Sequence, residues 1–232
     1  MSYVDETEGK SLDDVAGDVI QCSKCPRLSS YIRQVGETKV KRFVNDEYWS
    51  KPVPGFGDKD AEVVIVGLAP AAHGGNRTGR MFTGDSSGEW LMKALFDTGY
   101  ANMPASISKH DGLILKNVYI TSIVKCAPPS NKPSSSEISN CSGYLKAELA
   151  LLERNTSVII ALGRIAFKTV CDFYGLKGLE FRHGACYEFG KKYLLVSYHP
   201  SRQNTNTKKL SWEMWIGIFR KANSLMRSFY LD

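Results

Sequence analysis

The sequence predicts an α/β protein: a three-layer α/β/α sandwich whose central, mostly parallel sheet has four strands. Four short apolar runs, each about as long as a buried strand, alternate along the chain with segments of helical periodicity. Strands that alternate with helices form a parallel sheet covered on both faces, because the crossover helices pack onto those faces. The fold class follows from this alternation.

The first sixty residues are predicted to form an arm ahead of the sheet. Ser11 is placed to cap a short amphipathic helix that runs to Ile20. The segment Cys22-Ser23-Lys24-Cys25-Pro26 follows, and residues 27–59 predict a helix or irregular arm with a turn-rich connector into the sheet. At 232 residues one domain is the default. We therefore expect a single domain, 1–232, whose arm ends near residue 60.

The first core strand, residues 63–66, opens into a glycine-rich loop with the sequence GLAPAAHGGNRTGRMF at residues 67–82. Helix-start signals at Asp85 and Ser86 follow it, and a helix is predicted from Ser87 to Thr98. The loop therefore lies at the carboxyl end of a strand, where open α/β sheets bind ligands. Its glycines permit close approach of backbone N–H groups, its arginines suit phosphate, and its phenylalanine suits stacking on a base.

The rest of the chain continues the alternation. The predicted elements are a strand at 118–124, a helix at 135–153, a strand at 158–163, a helix at 164–174, a minor strand pair within 176–192, a strand at 193–198 and a helix within 210–231. The segment from Ser122 to Cys126 and the segment from His199 onward both follow strands. They therefore share the edge of the sheet that carries the glycine-rich loop, and we take this edge as the active one.

Composition and charge exclude several classes of protein. The chain is 43% hydrophobic and 23% charged, as in ordinary globular domains, and no window approaches the roughly 18 consecutive apolar residues of a membrane span. The polar N-terminus lacks the pattern of a secretion signal, so we expect a cytoplasmic protein that is not secreted and has no membrane partner. The net charge of +6 favours a polyanionic partner, although a solvated basic surface alone also explains it.

Four of the six cysteines have a spacing that fits a metal centre. Cys22 and Cys25 can hold one centre from a tight turn, and Cys126 and Cys141 can supply two further thiolates. The wide second pair and the adjacent prolines favour a 4Fe-4S cluster, while zinc and no metal remain alternatives. Cys171 and Cys186 are predicted to be small buried hydrophobic residues.

The candidate catalytic groups at the active edge are few. His199 ends a strand before a proline and could donate a hydrogen bond to an oxygen that gains negative charge. His73, inside the loop, is the second choice, whereas His110 and His183 have no such context. Asp85 is the only carboxylate predicted at this edge, and we assign it mainly to helix capping.

These segments together resemble the uracil-DNA glycosylase superfamily, and most closely family 5 (the type B enzymes) of its iron–sulfur branch. The resemblance runs from about residue 20 to 220. It is carried by residues 67–80, 82–85, 124–129 and 199–204, together with the four cysteines in the order and spacing of that family's cluster ligands. It implies a DNA repair enzyme of base excision repair: a monofunctional glycosylase that flips uracil out of double-stranded DNA and hydrolyses the N-glycosidic bond, leaving an abasic site. Hypoxanthine and oxidised or alkylated pyrimidines are implied as further substrates.

The resemblance also implies roles for particular residues. Phe82 is expected to stack on the base, Leu68 and Ala69 to contact it through their backbone, and His199 to stabilise negative charge on the departing base. Ser122 stands where related sequences often have Asn, at a position suited to reading the base edge. Phosphate and duplex contacts are expected from Arg77, Arg80, Lys125, Arg202, Gln203 and Asn204. The 4Fe-4S cluster on Cys22, Cys25, Cys126 and Cys141 is expected to be structural, pinning the arm to the core.

Two alternatives and one open question stand beside this hypothesis. The chain could be a non-enzymatic iron–sulfur module that binds nucleic acid, or a hydrolase that binds phosphate or nucleotide in the glycine-rich loop. A metal-dependent hydrolase needs a carboxylate cluster, which the sequence does not offer. Leu68, Ala71 and Ala72 agree with the family-5 pattern, which lacks a polar residue at the start of the loop, so the group that activates water stays open. We expect a monomer associated with the nucleoid.

Overall fold

The computed structural model describes residues 9–229. Within them, six strands form one sheet in the order β1-β3-β2-β4-β6-β5. The strands are β1 (Phe56–Gly57), β2 (Val63–Gly67), β3 (Val118–Ser122), β4 (Val158–Leu162), β5 (Cys186–Phe189) and β6 (Lys192–Ser197). The four inner strands are parallel, as predicted, and an antiparallel strand is added at each edge.

The two edge strands differ from the prediction for a physical reason. β1 has only two residues, in a segment predicted to be a connector, and it exists because it pairs with β3. β5 forms a hairpin with β6 instead of a separate minor pair. Short strands such as these depend on a neighbour for their hydrogen bonds, and a local sequence pattern cannot supply that information.

Helices cover the sheet in the predicted order. They are α1 (Leu12–Ile20), α2 (Pro26–Thr38), α3 (Gly75–Thr78), α4 (Ser86–Asp97), α5 (Ser135–Leu152), α6 (Arg164–Tyr174), α7 (Arg202–Asn206) and α8 (Trp212–Phe229). Ser11 and Ser134 close reciprocal capping boxes at α1 and α5, and Gly175 ends α6 in the left-handed conformation. The segment predicted as a polar loop after His199 contains the short helix α7.

Alternate residues of the inner strands enter two separate cores. Val64 and Ile159 pack on one face with residues of α1, α2, α5 and α6. Val63 and Ile160 pack on the other face with residues of α4 and α8. Because a strand points successive side chains to opposite faces, this division produces the three predicted layers.

The register aligns the carboxyl ends of the inner strands. Gly67 lies beside Ser122, and Leu162 lies beside Ser197. The loops that follow these strands therefore meet at one edge, which positions the site described below. Within residues 9–229, no helix combines the length and apolar character needed to cross a bilayer. The polar start of the chain, on which the expectation about secretion depends, lies outside this range, as does the end of the predicted C-terminal helix.

Candidate active site

A cavity of about 560 Å³ opens at this edge. Three segments form it: the glycine-rich loop with Phe82, the first turn of α4, and the segment that follows β6. Its lining includes Leu68, Ala69, Phe82 and His199, which the resemblance assigned to the base, and Arg202 and Gln203, which it assigned to DNA. Apolar groups of the glycine-rich loop and Phe82 supply one part of the lining, and polar side chains such as His73, Asp85 and His199 supply another. An apolar surface with several polar groups suits a planar ligand that carries hydrogen-bonding groups at its edge.

The loop folds back over the end of β2 through a compact turn. Both Gly74 and Asn76 donate their N–H groups to the carbonyl of Ala71. Gly74 approaches Asp85 so closely that a Cβ atom at residue 74 would lie 2.0 Å from the Asp85 carboxylate. A side chain at this position is therefore excluded, and the loop backbone lies directly on the first turn of α4.

Phe82 is held in an uncommon backbone conformation. Its φ angle is 50°, in the left-handed region that non-glycine residues rarely adopt. Two glycines make room for it: a Cβ at Gly67 would lie 3.1 Å from the phenyl ring, and one at Gly88 would lie 2.2 Å from the Phe82 carbonyl oxygen. The ring is thereby fixed over the end of β2, facing the cavity.

His199 lies 6.0 Å from Phe82 between ring centroids, with the two rings inclined by 31°. Burial lowers the pKa of His199 to about 4, so the imidazole is neutral at physiological pH. A neutral imidazole in a desolvated site can donate one N–H hydrogen bond to a ligand oxygen.

The backbone around His199 is anchored on both sides. Asn204 donates its amide to the His199 carbonyl at 2.8 Å, so its side chain points inward and not outward toward a duplex. On the other side, the Tyr198 N–H donates to Nδ1 of His183 at 3.2 Å, and Nε2 of His183 lies 3.2 Å from the Met214 carbonyl. The first bond requires an unprotonated Nδ1, so Nε2 carries the proton and donates to Met214. No local pattern in the sequence indicates this role of His183, since its partners are backbone groups distant along the chain.

Asp85 caps α4, as predicted, and also lines the cavity. Its Oδ1 accepts the N–H groups of Ser87 and Gly88, both at 2.9 Å. Burial raises its pKa, and the two cap hydrogen bonds oppose that rise. His73 lines the same cavity, with its Nδ1 3.1 Å from the Tyr48 hydroxyl; burial lowers its pKa, and the nearby Arg42 and Arg77 lower it further.

Three cations that were predicted to contact phosphate have carboxylate partners inside the protein. The Lys125 ammonium is 1% exposed and lies 2.6 Å from the Glu148 carboxylate. Arg80 makes a bidentate pair with Asp111 at 2.7 and 2.8 Å. Arg77 pairs with Asp46 at 2.6 Å and is 11% exposed. These cations hold the loop and the core together.

Ser122 is also engaged inside the protein. Its residue is 1% exposed, and its hydroxyl donates to the Val124 carbonyl at 2.8 Å. It does not belong to the cavity lining. In this structure the hydroxyl stabilises the turn after β3, and the predicted contact with a base edge stays a prediction.

Two residues that the sequence did not single out line the cavity mouth. Arg42 lies in a short 3₁₀ turn at Lys41–Phe43, and Asn131 lies in another at Pro129–Asn131. Arg42 and Arg202 are both exposed, so they are the cations of the lining that an incoming phosphate can contact. Pairing of the more central arginines by remote carboxylates could not have been read from local sequence.

The four cysteines border a second, small cavity between the arm and the core. Cys22 and Cys25 reach it from the arm, and Cys126 and Cys141 reach it from the segment after β3 and from α5. Burial, together with the nearby Cys141, Cys22 and Cys25 thiols, raises the pKa of Cys126 to about 12. Among residues 9–229 no three His, Cys, Asp or Glu side chains converge closely enough to hold one metal ion. The thiols surround the cavity and do not meet at a point.

Comparison with known proteins gives a consistent result. A sequence model described as the uracil DNA glycosylase superfamily matches residues 54–222. The chain is 45% identical over 210 residues to the type-5 uracil-DNA glycosylase of Pyrobaculum aerophilum, covering 90% of this chain and 91% of that protein. It is 45% identical over 207 residues to the type-5 enzyme of Thermus thermophilus (88% and 93%) and 44% identical over 208 residues to that of Mycobacterium bovis (88% and 78%).

Proposed function

The chain belongs to the uracil DNA glycosylase superfamily, and on that premise we propose that it excises uracil from double-stranded DNA by hydrolysing the N-glycosidic bond. The observation that carries the proposal is the pairing of Phe82 and His199 across one cavity, 6.0 Å apart between rings. A base inside a duplex is inaccessible, so it must be flipped out, and the cavity has room for a whole nucleobase.

The cavity binds the base by shape and stacking. Phe82 offers one aromatic face, while Leu68 and Ala69 offer backbone groups at the floor. The volume of about 560 Å³ exceeds what a pyrimidine fills. We extend the proposal to hypoxanthine and to oxidised or alkylated pyrimidines, because the cavity is larger than uracil requires.

His199 stabilises the leaving base. As the bond to the deoxyribose breaks, the base gains negative charge on its carbonyl oxygens. A neutral imidazole donates its N–H to this charge without first losing a proton to solvent, and the desolvated site strengthens that hydrogen bond. Removing one such donor typically costs about 10²–10³ in rate.

Asp85 is placed to hold the attacking water. One of its oxygens is occupied by the cap of α4, and the other lies against Gly74 in the cavity wall. A carboxylate in this position can accept a hydrogen bond from water and orient it toward the sugar carbon that loses the base. The developing positive charge on the sugar is stabilised by the same carboxylate.

We further propose that Cys22, Cys25, Cys126 and Cys141 hold a structural 4Fe-4S cluster. Four thiols around one closed cavity provide the donor set of such a cluster. Two N–H groups already point at sulfur: Lys125 donates from its backbone to Cys141 at 3.3 Å, and Asn140 donates to Cys25 at 3.7 Å. When bound, the cluster supplies a cross-link between the arm and the core. The enzyme is proposed to act as a monomer on nucleoid DNA.

The deciding experiment is single-turnover base release from a duplex with one G·U pair, followed by alkali to cut abasic sites. Wild type should yield strand cleavage only after alkali, and His199→Ala should be slower by about 10²–10³. His110→Ala is the matched control, since His110 is exposed and outside the cavity. Tight duplex binding without release from uracil or hypoxanthine would instead favour the non-enzymatic binding module.

A further inference from the structure

An exposed aromatic–basic cluster lies beside the glycine-rich loop, outside the cavity. The Lys109 ammonium lies 4.2 Å from the centroid of a Trp49 ring, and the Lys51 ammonium lies 5.5 Å from it. Gly79 of the loop packs against the same indole, where a Cβ would lie 2.9 Å from a ring carbon. Two ammonium groups therefore contact one indole, which the glycine-rich loop supports.

Within residues 9–229, no carboxylate forms an ion pair with Lys51 or Lys109. Two carboxylates of the same region are engaged elsewhere, because Asp46 pairs with Arg77 and Asp111 pairs with Arg80. An exposed ammonium group without a carboxylate partner can contact a phosphate of DNA.

The cluster is tied to the active edge at two points. Trp49 donates its backbone N–H to the Arg77 carbonyl, and its neighbour Tyr48 contacts His73 in the cavity lining. The loop that carries Lys109 is anchored by Asp111, which accepts from Arg80 and from three backbone N–H groups of the same loop. The Ser106 carbonyl of that loop also accepts from Gly84, next to Asp85.

We propose that Trp49, Lys51 and Lys109 form a second DNA-backbone site, which binds phosphates of the duplex flanking the target nucleotide. This inference rests on the proposed function, since it needs DNA at the active edge. This site would supply phosphate contacts in place of those predicted for Arg77, Arg80 and Lys125, whose charges are paired inside the protein. The indole holds the two lysine stems in place, so that less side-chain freedom is lost on binding.

The test is the salt dependence of binding to an undamaged duplex, measured with Lys51→Gln/Lys109→Gln. The slope of log K against log salt is negative, and each lost phosphate contact reduces its magnitude by about 0.9. The double variant should therefore reduce the magnitude of the slope by nearly 2 units. The control Lys116→Gln/Lys191→Gln removes the same charge from exposed lysines just before β3 and β6, at the opposite edge. The control slope should match that of wild type.

The maximal single-turnover rate at saturating enzyme should be unchanged in the control variant Lys116→Gln/Lys191→Gln, because neither of its lysines lines the cavity. An unchanged slope in the Lys51/Lys109 variant, or an equal fall in the control, would overturn the proposal. Absence of base release by the wild-type protein would defeat the proposed function instead. The slope measurement uses undamaged DNA, so the two failures are separable.

Discussion

His199 combines two properties that oppose each other in a free imidazole: it is a polar donor, and it is uncharged well below neutral pH. Burial produces this combination by penalising the charged form, and no other cause contributes to the lowered pKa. Asn204 and His183 fix the backbone on either side of it. The residue is therefore set in place before a base arrives, which is how electrostatic stabilisation becomes effective.

The same burial makes the stability of the protein depend on pH. The unfolded chain binds a proton at His199 near pH 6.5, whereas the folded protein does so only near pH 4. As pH falls between these values the unfolded state binds more protons, so the stabilising contribution present above pH 6.5 is progressively lost. We expect His199→Gln to lose less unfolding free energy than wild type between pH 7.5 and 4.5, measured by urea denaturation at each pH. Parallel pH profiles for the two proteins would contradict this assignment.

At the scale of elements, α4 and the glycine-rich loop form one unit. The helix presents Asp85 and Gly88 to the loop, and the loop returns Gly74 and Phe82 to the helix. At Gly88 the helix backbone lies against the backbone of Phe82, with no space for an added methyl group. The positive φ of Phe82 persists because this packing surrounds it on both sides.

Gly88→Ala tests that unit. In an ordinary helix the change stabilises by up to about 1 kcal/mol, but here a Cβ would lie 2.2 Å from the Phe82 carbonyl oxygen. We expect the free energy of unfolding to fall by at least about 1 kcal/mol. We also expect a large fall in the single-turnover rate of base release. Gly217→Ala in α8 is the control, because nothing lies within 4 Å of its added Cβ. It should stabilise the protein and leave the rate unchanged, whereas similar behaviour of the two variants would show that α4 does not position Phe82.

The sequence predicted the long elements well and the short ones poorly. The inner strands and the helices α1, α4, α5, α6 and α8 follow from hydrophobic periodicity and caps, which are local properties. β1 depends on a tertiary partner, β3, whereas α7 begins at a local Ser201 cap inside a segment that was predicted to be a loop. The same distinction applies to the site. His199 and Phe82 could be selected as candidates because each lies in a segment that follows a predicted strand, which is a local property. The burial of Lys125 depends on Glu148, a residue 23 positions away, which no local pattern identifies.

At the scale of the whole molecule, the arm contacts the active edge through α2, the helix that follows Cys25. α2 begins directly after Cys25, and its Ile32 carbonyl accepts from Asn76 in the glycine-rich loop at 3.2 Å. α1 packs on α5, which carries Cys141. One helix, α2, therefore connects the proposed cluster to the glycine-rich loop.

Removing the proposed cluster should loosen the arm before the sheet. We expect anaerobic chelation of iron to increase amide hydrogen exchange first in α1 and α2, and next in residues 67–80, while β2 and β4 stay protected. Mass spectrometry of peptides from treated and untreated protein measures this order. An iron-free purified protein, or uniform exchange across arm and sheet, would refute the structural role of the cluster.

The buried pair of Lys125 and Glu148 also limits how this sequence can diverge. Thr121 and Tyr119 complete its hydrogen bonds, so each charge is satisfied only while the other is present. A descendant that loses one of them loses about 3–5 kcal/mol, out of a typical total of about 5–15 kcal/mol. Replacing both residues with apolar ones can leave the stability unchanged. Each route to that double replacement nevertheless passes through a destabilised protein that carries only one of the two substitutions. Related sequences should therefore keep both residues or replace both, so that the two positions vary together.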